Sequence, residues 1–144
     1  MSWNLSLKCA VGMIVAFMLL LPRASWASEP ALSLELNSLS RAEGACRISF
    51  VAQNKMGSLI EELKLELVLF GKDGQVDRLL AVNVGRMPKD KTRVKQFDLK
   101  STNCDDIGRL LLNNITQCKG PEVTPTKCLD AVKPTSRLSV SFSY

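Results

Sequence analysis

The chain has 144 residues, 19 of them basic and 14 acidic, a formal net charge of +5 and no histidine. The general base of neutral-pH catalysis is most often histidine, so Ser-His-Asp and Cys-His arrangements are excluded. Aromatic residues make up only 6% of the chain, which leaves a core to be built mainly from Leu, Val and Ile.

Residues 1–27 read as a cleaved secretory signal peptide. Lys8 supplies positive charge, the apolar run Cys9–Leu21 has the length of a signal core, and Ser25 and Ala27 place small residues before the cut. The run falls short of the ~20 apolar residues that span a bilayer, and Arg23 interrupts it. An uncleaved anchor fits this length and these flanks less well. Acylation at Cys9 fails, because Leu7 and Lys8 precede it where small residues are required. Cleavage after Ala27 leaves 117 residues, 28–144, and lowers the net charge to +3 through loss of Lys8 and Arg23. That length suits a single domain, small enough to benefit from covalent staples.

Further along, Leu32, Leu34 and Leu36 alternate with Ser33, Glu35 and Asn37, the period of a half-buried strand. After a break at Arg41–Gly44, Cys46, Ile48, Phe50 and Ala52 share one parity, which turns Cys46 inward with the apolar set. Residues 58–70 admit two readings. Ser58 and Glu61 fit a capping box, and Leu59, Leu63 and Leu67 recur at helical spacing. Against this, Leu63, Leu65, Leu67 and Leu69 alternate with Lys64 and Glu66, and a Gly71–Gly74 turn leads straight into Val76–Val84, so a strand and hairpin are expected. Thr92–Leu99 is compatible with a strand, and Asn103–Ile115 with a turn followed by one. Residues 119–134, with Gly120, Pro121, Pro125 and Pro134, read as a loop. Leu138, Val140, Phe142 and Tyr144 then alternate with serines as a final strand.

About seven short strands predict an all-β, immunoglobulin-like antiparallel sandwich. Four cysteines remain in an exported chain, so two disulfides are expected rather than a metal centre. In a sandwich the second and sixth strands run the same way on opposite sheets. Four cysteines allow three pairings, of which Cys46–Cys104 across one end with Cys118–Cys128 closing the last loop is the one this topology favours. Zinc is disfavoured because neither a C-x-x-C pair nor a histidine is present. No cofactor is expected.

A further pattern runs through Cys46–Phe50 with Asn54, Leu67–Phe70 through Gly74, Val76–Arg78, Arg93–Leu99, Cys104–Asn113, Cys118, Cys128, Ser136 and Arg137. This order of cysteines, glycines and arginines resembles small exported proteins of alphaproteobacteria known as Tat-pathway signal-sequence domain proteins. The resemblance covers most of residues 31–140 and implies residence in the periplasm or at the surface. It carries no established activity and no functional residues. The leader here lacks a twin arginine, so the general secretory route is expected instead.

Few residues offer chemistry. The neighbouring carboxylates Glu61/Glu62 and Asp105/Asp106 diverge on extended backbone, and Asp73, Gly74 and Asp77 lack the ligand run of a calcium loop. The final alternation also resembles an outer-membrane barrel strand, but too few such segments exist for a barrel. The most distinctive feature is a basic run, in which Lys89, Lys91, Arg93 and Lys95 share one parity and Arg86 and Lys100 extend it. Against Asp90 and Asp98 these six cations leave a local charge of +4. Such a stripe suits an anionic lipid, polysaccharide or protein; its plain alternative is an edge strand guarded by lysines. Phe97 and Leu99 continue the same parity, which demands a bulge or a later strand start.

The expected function is a periplasmic, non-enzymatic binding domain. Its partner is a protein or an anionic envelope component, not nucleic acid, and the mature form has no membrane span. Two alternatives are a thiol-redox protein cycling Cys118 and Cys128 beside Lys119 and Lys127, and attachment to an anionic surface through residues 86–100.

Overall fold

Leu32, Leu34 and Leu36 are fully buried while Ser33 and Glu35 between them stay partly exposed, as the period-two pattern requires of a strand with one face on a core. The computed structural model describes residues 31–144, and the signal peptide expected at 1–27 lies outside them. The described strands are β1 (Leu32–Ala42), β2 (Ala45–Asn54), β3 (Ile60–Gly71), β4 (Val76–Met87), β5 (Thr92–Lys100), β6 (Ile107–Lys119), β7 (Val132–Ser136) and β8 (Ser141–Ser143). One short helix, α1 (Pro125–Ala131), precedes β7. They form two sheets of order β5-β2-β1-β7 and β4-β3-β6-β8. The links β2–β3, β4–β5 and β5–β6 all cross between the sheets, as in an immunoglobulin-like sandwich.

The strand reading of residues 60–70 prevails because the segment is central and covered on both faces. Leu63, Leu65, Leu67 and Leu69 face the opposite sheet, while Val68 and Phe70 on the outer face are also buried, Phe70 beneath the Arg109 guanidinium at 3.7 Å. Across the core, Phe50 stacks on Phe97 (5.8 Å) and meets Phe142 of the other sheet (5.3 Å). Cys46 is bonded to Cys104, joining β2 to the short 3-10 turn that opens β6, and Cys118 at the end of β6 is bonded to Cys128 in α1.

The C-terminal third departs from expectation. Residues 119–134 are not a loop throughout: Thr124 caps α1 by accepting from the Lys127 N–H, Pro125 sits in its first turn, and β7 begins at Val132. Nor is Leu138–Tyr144 one strand. The Ser136 hydroxyl donates to the Val140 carbonyl (2.6 Å) and accepts from the Leu138 N–H (3.1 Å), folding residues 137–140 into a turn that leaves three residues for β8. β1–β7 and β6–β8 pair in parallel, so the sheets are mixed rather than purely antiparallel, and the described residues form eight strands. Leu138, Val140 and Phe142 still pack on the core, as expected.

Candidate binding face between the β4 and β5 edges

The basic run meets the sandwich at its open side. β5 pairs with β2 in unbroken register from Ala45↔Lys100 to Gln53↔Thr92, so no bulge intervenes. Cys46, Ile48, Phe50 and Ala52 face the core; their partners Leu99, Phe97, Lys95 and Arg93 therefore share that face. Arg93 and Lys95 are inward-facing cations on an edge strand, set beside the apolar residues whose parity conflicted with them.

The single stripe expected from sequence is accordingly divided. Lys89 and Lys91 lie in the link before β5 rather than on a strand. In β4 a register shift at Gly85 (φ +84°) changes parity: Gly85 and Met87 pair with the core-facing Leu63 and Ile60, which turns Arg86 to the outer face. Lys100 stands opposite Ala45 on the outer face of β5. What remains is a basic rim of Arg86, Lys89, Lys91, Arg93 and Lys95 around one side of the molecule.

Asn54 positions that rim, a residue that no chemical motif singled out. It is fully buried at the end of β2. Its backbone N–H donates to the Lys91 carbonyl (3.1 Å) and its carbonyl accepts from Asp90 (2.8 Å), tying down the β4–β5 link. Its side-chain amide donates to the Met87 and Ser58 carbonyls, both at 2.9 Å, and accepts from the Met56 N–H (3.0 Å). A lone Asn at the end of an apolar alternation was the available signal.

Between the two edges runs a groove of about 480 Å³, lined by Leu80, Val82, Phe97 and Leu99 together with the polar Asn83, Lys95, Gln96 and Asp98. Phe97 and Leu80 are only partly buried there. On the opposite side, the 137–140 turn joins β7 to β8 and closes the sandwich.

Ion pairing is partial over the described residues, and Lys72, Lys100, Arg109, Lys127 and Lys133 have no carboxylate partner. Elsewhere Arg41, Arg47, Arg78 and Arg137 face Asp105, Asp98, Asp77 and Glu35, while Lys64 and Lys119 share Glu62. The hydrogen bonds from Arg47 hold the Asp98 carboxyl below its ordinary range, and those from Lys64 and then Lys119 do the same for Glu62. Among the described residues, none of the five rim cations has a carboxylate partner.

The four cysteines of the described residues are bonded in two pairs. Cys118 and Cys128 are 2% and 0% exposed, and the neighbouring Lys119 is engaged by Glu62. Two disulfides fit an oxidising compartment. Among the described residues, no three Cys, Asp or Glu gather as a metal-ligand set, and no helix is long and apolar enough to cross a membrane. Comparison with family models, curated proteins and solved structures yields no significant match.

Proposed function

We propose that this chain is an exported, non-enzymatic interaction domain of the periplasm, and that it receives an anionic partner on the open β4–β5 side. The observation that carries this reading is a partly apolar groove lined by Lys95, with Arg93 on the same side of β5 and Arg86, Lys89 and Lys91 at the end of β4 and in the β4–β5 link, none of the five having a carboxylate partner among the described residues. Disulfide bracing and the signal-like leader support export. At physiological salt, attraction from the rim reaches about 8 Å, so the partner must dock closely rather than be held at long range.

Titration with polyglutamate and with phosphatidylglycerol vesicles tests the reading. Polyglutamate is expected to bind with an affinity that falls as salt rises, and to be lost in the Lys91→Glu/Arg93→Glu variant. Failure to bind at low salt, or binding that survives charge reversal, overturns it. Binding of vesicles alone moves the reading to a lipid surface.

A further inference from the structure

Resting on that reading, we infer that the partner enters as an extended strand. An acidic segment of another protein pairs with the free edge of β4 and lays alternate side chains into the β4–β5 groove.

The four sheet edges are not equally defended. β8 has three residues, and β7 has five including Pro134. β5 carries Arg93 and Lys95 on its core-facing side, and an inward charge is one of the devices by which edge strands resist pairing. β4 is twelve residues long, yet from Leu79 to Val84 it holds neither charge nor proline. Register shifts bound this run at both ends, one near Val76 and one at Gly85. Between them about half of the residues turn both N–H and C=O away from β3. An edge of this kind, left open, is a template for another strand.

The surroundings specify the chemistry of that strand. On one side its alternate residues enter the groove, where Leu80 and Phe97 call for apolar groups and Lys95 for a carboxylate, Asp98 of the same lining being already paired with Arg47; Arg93, on the same side of β5 beyond the groove, adds a second cation. On the other side they lie along the outer face beside Leu79, which is 62% exposed. A segment alternating acidic and apolar residues satisfies both the backbone edge and the rim. A lipid or a polysaccharide satisfies the rim but offers no regular series of amides to the edge. A second copy is disfavoured by charge, because pairing β4 with β4 brings Arg93 and Lys95 of both chains to the same side.

The test uses the disulfide-bonded protein and three labelled eight-residue peptides: alternating Val and Glu, the same peptide with two valines replaced by proline, and alternating Val and Lys. Fluorescence anisotropy should show the Val-Glu peptide binding at least about tenfold more tightly than either control. Lys95→Glu should weaken it about tenfold, and Lys95→Gln by less. Equal binding of the proline peptide overturns strand addition while the anionic-partner reading stands. Equal binding of the Val-Lys peptide overturns the acidic partner and with it the inference. If no peptide binds, the inference fails, and polyglutamate alone decides the broader reading. Sedimentation that reveals a dimer abolished by Ala81→Lys assigns the edge to a second copy and also overturns the inference.

Discussion

Asn54 is fully buried, and both ends of its amide are satisfied by backbone groups from two different connections. Truncation to Ala strands the buried Met87 carbonyl and removes the half-buried bonds to the Met56 N–H and the Ser58 carbonyl. A buried orphan costs about 1–3 kcal/mol, so Asn54→Ala should destabilise the fold by about 2–4 kcal/mol in urea unfolding. A loss below about 0.5 kcal/mol would deny the side chain its clamping role. Titration belongs to this scale as well. Glu35 is held below its ordinary 4.5 chiefly by the Asn37 amide and also by Arg137; Lys64 and Lys119 act likewise on Glu62, and Arg47 lowers Asp98 from 3.8. Their folded forms favour the carboxylate, so the stabilisation is fully present above the ordinary values and fades as pH falls through the lowered ones. With no histidine in the chain, thermal melts should be flat from about pH 5.5 to 8 and drop below about pH 4, with a shallower drop in Glu62→Gln. Exposure of these pairs keeps the effect modest.

At the scale of elements, period-two alternation was a reliable guide wherever a strand has one wet face, as in β1 and β2. It was ambiguous for β3, whose second face is also covered, and for β5, where Arg93 and Lys95 share the inward face with Phe97 and Leu99. A cation at an inward position is tolerable only because β5 is an edge, where its charged end reaches solvent. The C-terminal elements were hidden differently: Gly120 and the prolines at 121, 125 and 134 read as a loop and masked the seven-residue helix that Thr124 caps. Close approach of backbone also demands particular residues. A Cβ added to Gly108 in β6 would stand 2.3 Å from the Gly71 carbonyl oxygen, and backbone cannot yield as a side chain does. Gly108→Ala should therefore destabilise by about 1–3 kcal/mol, measured by the shift in denaturation midpoint.

For the whole molecule, the two bridges differ in what they restrain. Cys46–Cys104 spans 58 residues of sequence and ties one sheet to the other, whereas Cys118–Cys128 spans 10. In the chain-entropy model the first is worth about 4 kcal/mol and the second about 3 kcal/mol. Removing Cys46 and Cys104 together should thus lower unfolding free energy more than removing Cys118 and Cys128; the reverse order would mean that strain or residual unfolded structure outweighs loop closure. The sequence by itself determined what is written locally or by count: alternation of side chains into strands, hairpin turns at glycines, and a paired set of cysteines. Only the tertiary structure decided that β4 and β5 are edges, that Lys95 lines a groove with Arg93 on the same side, and that β7 pairs in parallel with β1 and β8 with β6. Those facts depend on which strands become neighbours. Neighbour choice is settled by burial of the whole core between residues far apart in the chain, and no short window of sequence carries that information.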